Sequence, residues 1–305
     1  MRNSFISALE ELAEKNENIY FITGDLGYSV IEGFQKKFPK RFLNAGIAEQ
    51  NMTGMAAGLS SLSKIVFTYS IANFPIVRCL EQIRNDVCYH KLNVKIVAVG
   101  GGLAYASLGY SHHGMEDIAM TRVLPNLIVI CPADPIEAKL ATLAIAKFNG
   151  PCYLRLGKAN ETIIHKEIPD FIIGKCIQIR KGNDIVIVGA GSILTEVIKA
   201  ADNLNEKGLS IEVVSMHTIS HIDIEYLESI RFKKLIVTIE EHGEGGLGAA
   251  VMEAYAKLDI QVRILNINLG KVIHSFAGTQ NELREIYGLD SKSIVESILK
   301  RYSSL

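Results

Sequence analysis

The chain has 305 residues, 48% hydrophobic and 21% charged, with a formal net charge of −1. At about 150 residues per domain this predicts two domains, each able to bury its own core, and it excludes a disordered, collagen-like or coiled-coil chain. A charge near zero leaves no electrostatic footprint for nucleic acid or for an anionic membrane surface.

The opening segment MRNSFISALEELAEK carries acids by Glu10 and no small-residue cleavage site, so no signal peptide is evident. Its Phe5, Ala8, Leu9 and Leu12 form a helical stripe over 4–15, and an apolar run at Ile19–Thr23 is stopped by Gly24. The stretch 41–59, RFLNAGIAEQNMTGMAAGL, follows. Ile47, Met52, Met55, Ala56 and Leu59 give it a helical apolar face, and Gly54, Ala57 and Gly58 would let another backbone or a ligand approach closely. Glu49 stands near the start of this helix, where the dipole favours a carboxylate. An exposed first-turn glutamate and a functional one are both compatible with the pattern.

Val94–Val99 and 127–131 read as fully buried strands. The loop between them, GGGLAYASLGYSHHGMED at 100–117, opens at the carboxyl edge of a sheet, where α/β proteins bind ligands. Long glycine-rich loops in compact domains are functional or mobile. His112 and His113 are candidates for acid–base or oxyanion work, weighed against plain solvated loop histidines. A metal site is the weaker idea, since adjacent histidines rarely face one ion. The longest charge-free apolar stretch, 96–115, holds five glycines and two histidines and makes a poor membrane span. Pro132-Ala133-Asp134-Pro135 opens a helix over 136–148, and 153–156 is a further strand.

Periodicity weakens between Gly157 and Gly182, marking a linker, and then the pattern restarts. Strands are expected at 184–188, 210–215, 234–240 and 262–267, with helices at 193–207, 248–257 and 282–301. The fold class is therefore α/β, two doubly wound domains with mostly parallel sheets, at 1–165 and 182–305 with a linker at 166–181. Gly189-Ala190-Gly191 lacks the third glycine of a nucleotide fingerprint and reads as a plain βα turn. The turn 240–248 reads as a capped, glycine-rich βα turn without chemistry of its own, a domain or subunit contact being left open. Five cysteines at scattered spacings, none in a CxxC pair, fit free thiols in a reducing cytoplasm.

Six segments in order, GIAEQNM at 46–52, CLEQIRNDV at 79–87, KLNVKIV at 91–97, SHHGMEDIAMTRVLPNLIVICPAD at 111–134, GPCYLRLGK at 150–158 and VTIEEHGEGGLGAAV at 237–251, resemble the thiamine-diphosphate enzymes of the transketolase family. The likeness is to the pyrimidine-binding and C-terminal domains, as in the C-terminal subunit of a split, two-chain transketolase. It implies that Glu49 is catalytic, hydrogen-bonding N1′ of the cofactor's aminopyrimidine. A carboxyl group held in an apolar cleft at fixed distance is what that task needs. Phe74 corresponds to an aromatic that stacks on the pyrimidine, Ile71 and Val77 to the rest of that cluster, and Asp25 to an acid near the cofactor. His112 corresponds to a catalytic histidine that handles donor oxygens, and Lys158 to an arginine that binds substrate phosphate. Two positions depart from the family: Leu108 stands where an aspartate contacts the donor hydroxyl, and Gly100 where transketolases carry a histidine. The departures imply a less hydroxylated or differently phosphorylated donor than that of a housekeeping transketolase.

The resemblance further implies that diphosphate and Mg2+ are held mainly by a companion N-terminal subunit bearing GDG…N, and that the pair self-associates as a heterotetramer. Gly24-Asp25-Leu26 with Asn51 imitates that motif, but the third glycine is Leu26 and Asn51 lies in the pyrimidine-site helix, so no metal ligand is assigned here. The expected activity is transfer of a two-carbon ketol unit from a ketose or ketose phosphate to an aldose, in the cytoplasm. Decarboxylative chemistry, as in deoxyxylulose-phosphate synthase or the β-chain of 2-oxo-acid dehydrogenases, and a non-catalytic scaffold are the alternatives.

Overall fold

The β-branched runs become the interior strands of two sheets. The computed structural model describes residues 1–273 and 275–304. In the first domain the strands are β1 (Ile19–Thr23), β2 (Phe42–Asn44), β3 (Ile65–Ile71), β4 (Val94–Val99), β5 (Ile128–Ile130) and β6 (Cys152–Leu156). They pair in the order β2-β1-β3-β4-β6-β5, all parallel. Every residue of β4 and β6 is buried, as expected for strands covered by helices on both faces. Those helices are α1 (Arg2–Lys15), α2 (Glu32–Lys37), α3 (Glu49–Ser61), the short α4 (Phe74–Val77) and α5 (Leu80–Gln82), α6 (Asp117–Arg122) and α7 (Pro135–Lys147). The chain continues from α5 into one wider π turn at Ile83–Cys88. Asp134 caps α7 by accepting from the Glu137 N–H at 2.8 Å, and Pro135 takes its first position, as the sequence anticipates.

The second domain adds β7 (Ile177–Arg180), β8 (Ile185–Ala190), β9 (Ile211–Ser215), β10 (Leu235–Glu240) and β11 (Ile264–Ile267), in the order β11-β10-β8-β9-β7. Its helices are α8 (Leu194–Glu206), α9 (Ile224–Ser229), α10 (Leu247–Lys257), α11 (Gln280–Ile286) and α12 (Ser291–Tyr302). The expected fold class holds. Three details stand out. The segment that reads as linker contains β7, an antiparallel edge strand on β9. The single helix expected over 282–301 is two, because Gly288 turns left-handed (φ +73°) and Asp290 caps a new helix through the Lys292 and Ser293 amides. Gly191, as expected, takes φ +80° in a plain turn before α8.

One apolar cluster joins the domains, with Ile22 and Met52 in the same cluster as Val186 and Tyr255, while a second cluster lies within the first domain and a third mainly within the second. The edge of the first sheet also runs into the second domain, with Cys131 N–H donating to His217 O at 2.7 Å and Ile219 N–H to Val129 O at 2.9 Å. Among the described residues all five cysteines are free, and no helix is long and apolar enough to cross a membrane.

Candidate active site

Parallel pairing brings the loops that follow β1, β2, β3, β4 and β6 to one edge, and the candidate residues sit there. Glu49 is the first residue of α3 and is 4% exposed, so the exposed first-turn reading does not hold. Its Oε2 lies 3.1 Å from Nη1 of Arg78, whose side chain is half exposed. Gly24 packs over it: a Cβ there would lie 3.7 Å from Glu49 Cγ and from Met52 Sδ. Glu49 and Arg78 line an open cavity of about 450 Å³ with Ile47, Ala48, Gln50 and Asn51. Ile47, expected on the apolar face, is instead 80% exposed at its rim. At Gly54 and Gly58 a Cβ would meet nothing within 4 Å, so among the described residues no part of this chain makes the expected close approach.

A line of contacts runs on from Arg78. Its guanidinium sits 4.3 Å from the Phe74 ring centroid, a cation–π contact between residues four apart. Phe74 meets His112 edge-on at 5.2 Å, the Tyr105 ring lies 6.4 Å beyond, and Lys158 Nζ sits 4.7 Å over the Tyr105 ring. His112 Nδ1 is 3.0 Å from the Ser111 hydroxyl. Partial burial, then the charge of Arg78, hold the His112 pKa below that of a free imidazole, so the neutral ring is favoured. Such a ring both donates and accepts hydrogen bonds, which suits handling of carbonyl and hydroxyl oxygens. His113 is buried, at 1% exposure, and faces no open surface.

Asp25 takes a left-handed backbone (φ +56°) and binds Asn44 twice: its carboxylate accepts from Nδ2 at 2.9 Å and its N–H donates to Oδ1 at 3.1 Å. Asn51 is turned to Met55 Sδ. Asp25 and Asn51 are thus engaged separately, and among the described residues no group of three His, Cys, Asp or Glu is placed to hold a metal ion. Ile71 is half-buried at the end of β3, whereas Val77 and Leu108 are exposed. Gly100 has φ +85°, and a Cβ on it would fall 2.1 Å from two carbons of the Tyr105 ring. The phenol therefore fills the volume that a side chain at position 100 would take.

Three residues of this edge escape sequence reasoning. Arg78 is signalled only by its four-residue spacing to Phe74. Tyr105 carries no signal, because its role exists only in relation to Gly100. Arg2 has a buried Nε without a hydrogen-bond partner among the described residues, and it lines a cavity of about 210 Å³ with Lys158. Burial pushes the Tyr105 pKa up, with the nearby Arg2 charge working against it.

Residues 1–162 match the family described as transketolase, pyrimidine binding domain, and residues 174–294 that described as transketolase, C-terminal domain. The chain is 41% identical over 304 residues to a putative transketolase C-terminal section of Methanocaldococcus jannaschii, covering 98% of this chain and 95% of the relative. It is 35% identical to an apulose-4-phosphate transketolase subunit of Phocaeicola vulgatus, covering 98% of this chain and 96% of the relative. Among solved structures it is similar to a split gene transketolase described as an inactive beta4 tetramer, with TM-score 0.89 and 37% identity over 99% of this chain and 97% of that one.

Proposed function

The chain belongs to the transketolase family, and from that premise we propose that it is the pyrimidine-site subunit of a two-chain, thiamine-diphosphate-dependent transketolase. The observation that carries the reading is the buried carboxylate of Glu49 at the floor of an open cavity, joined through Arg78 and Phe74 to His112. These residues fit the pyrimidine end of the cofactor: a carboxylate shielded from water, a flat ring beside it and an apolar rim. When bound, thiamine diphosphate supplies the nucleophilic carbon and electron sink that two-carbon transfer between carbonyl compounds requires. Glu49 holds the aminopyrimidine by a hydrogen bond, Phe74 with Ile71 and Val77 packs its faces, and Asp25 keeps the β1 loop against the β2 loop. His112 orients donor oxygens, and Lys158 with Arg2 presents positive charge to an anionic substrate group.

Among the described residues no three His, Cys, Asp or Glu side chains converge to hold a metal ion, so this chain's own carboxylates and imidazoles are not assigned to the Mg2+. A companion N-terminal subunit carrying GDG…N would supply the metal and diphosphate contacts, with Ile47, Gly54 and Gly58 on the surface it meets, and the pairs would assemble as a heterotetramer in the cytoplasm. Leu108 and the Gly100–Tyr105 pair remove two polar contacts of the housekeeping donor site, which favours a less hydroxylated or differently phosphorylated ketose. The name of the Phocaeicola vulgatus relative, an apulose-4-phosphate transketolase, supports a donor outside the housekeeping set.

The deciding experiment is co-purification from native cells followed by reconstitution with the companion chain, thiamine diphosphate and Mg2+. Ketol transfer from a panel of ketose phosphates, lost in Glu49→Ala, is the expected result. Unchanged turnover in Glu49→Ala would overturn the assignment, and activity on xylulose 5-phosphate equal to a housekeeping enzyme would overturn the donor class.

A further inference from the structure

The loop that carries His112 closes on itself before it reaches the site. Gly102 N–H donates to Gly114 O at 2.8 Å, and Gly114 N–H returns to Gly102 O at 3.0 Å. Tyr105, Leu108 and His112 all lie on the segment so enclosed. The base of this loop rests on the second domain. Leu103 N–H donates to Glu241 Oε1 at 2.7 Å, and Gly243 N–H donates to Met115 O at 2.8 Å.

Glu241 is itself fixed from its own domain. Arg284, on α11, donates to its Oε2 from Nε at 2.9 Å and Nη2 at 2.6 Å, and Gln280 Nε2 donates to its Oε1 at 2.8 Å. Arg155 then ties the two sides together. Its Nη2 donates to Gly114 O at 2.6 Å and to Glu241 O at 3.0 Å, while its Nε is paired with Asp117 at 2.7 Å. Glu241, Arg284 and Arg155 are each no more than 6% exposed. A buried ionic network adds little stability by itself, because desolvation offsets its attraction, but both carboxylate oxygens of Glu241 accept directed hydrogen bonds, which fix where its contact to Leu103 lies.

We infer that Glu241 is a positioning residue: from the C-terminal domain it sets the base of the His112 loop and so places His112 against Phe74. The turn that reads from sequence as a plain capped βα turn thereby gains a part in placing His112. The inference rests on the transketolase reading for the role of His112; the contact network itself does not.

The test uses the full chain. Amide exchange at Leu103 and the ring titration of His112, followed by NMR of histidine-labelled protein, are measured in Glu241→Ala, Glu241→Gln and Gly102→Ala. In Glu241→Ala, Leu103 exchange is expected to rise by about tenfold or more, the scale of a lost hydrogen bond to a charged group. The His112 titration is expected to move up toward that of a free imidazole. Glu241→Gln, which keeps an acceptor for Leu103, is expected to restore both. Gly102→Ala approaches from the loop side, since its Cβ would fall 2.7 Å from Glu241 O at a φ of +65°, and it is expected to reproduce the His112 shift. A lower melting temperature in Glu241→Ala with Leu103 exchange and His112 titration unchanged would overturn the inference. So would an unmoved His112 in Gly102→Ala, the deciding variant if Glu241→Ala does not fold. Inactivity of the wild-type reconstituted pair would instead count against the transketolase reading, and would leave these readouts intact.

Discussion

Mild acid is expected to weaken this protein through one imidazole at the junction of its domains. His217 is fully buried, its ring stacked on Phe171 at 3.9 Å, its Nδ1 2.9 Å from the Thr218 hydroxyl and its Nε2 without a partner among the described residues. Burial, the largest influence, pulls its pKa from 6.5 down to about 4; Glu137 and Asp223 act upward and His165 downward. Between those two values the unfolded chain binds a proton that the folded chain refuses, so stability is lost as pH falls through this window. At pH 5 the unfolded imidazole is almost wholly charged and the native one only about a tenth, which costs about 2 kcal/mol relative to pH 7. His165 has the opposite sign. Burial alone would lower its pKa, but the Glu137 carboxylate at 2.8 Å raises it, so its contribution is lost as pH rises. Comparing wild type with His217→Phe, which keeps a ring against Phe171 and has nothing to titrate, leaves His165 in both proteins. Urea unfolding at pH 7 and pH 5 should show the difference in stability shifting by about 2 kcal/mol toward the variant. A difference constant to within about 0.5 kcal/mol, the usual error of additivity, would refute the argument.

Three further outcomes are expected. Gly100→Ala should lose about 2 kcal/mol or more in urea unfolding, since it meets the Tyr105 ring and a left-handed backbone together; adding Tyr105→Ala should remove the steric part and leave about 1 kcal/mol for the backbone. Arg155→Leu should cost about 3–5 kcal/mol because it strands buried Asp117, and Asp117→Asn on that background should recover part of the loss; a cost below about 1 kcal/mol would contradict the network described. Glu49→Gln should cut ketol transfer in the reconstituted pair by about a hundredfold or more while its urea midpoint stays close to wild type.

The α/β class is legible because strands such as VKIVAV and IVIVGA are apolar throughout or nearly so and rich in β-branched residues, the mark of burial on both faces. The strand Ile65–Ile71 lies inside the sheet yet gives no such mark, because Thr68 and Ser70 interrupt its apolar run and both are nonetheless buried. The Phe42–Asn44 strand is too short to show a period. Position 288 is a stop signal hidden inside an apolar helical pattern, where one glycine with φ +73° ends a helix that hydrophobicity alone would continue.

The site divides along a different line. Glu49, Phe74, His112 and Lys158 are reached through family likeness, since each residue taken alone has an ordinary structural explanation. What neither pattern nor likeness contains is the relation between residues distant in sequence. Tyr105 matters because Gly100 has no side chain, and Glu241 matters because Leu103, 138 positions earlier, donates its N–H to it. Gly100 and Leu108 look like losses when compared with the family one position at a time. With the phenol of Tyr105 in the space beside Gly100, under Lys158 and next to His112, the same positions describe a refilled pocket. On the proposed function, a donor suited to it would present fewer hydroxyls to Leu108 and pack against the phenol of Tyr105. Exchanging Gly100 for His without removing Tyr105 should therefore fail to restore housekeeping specificity.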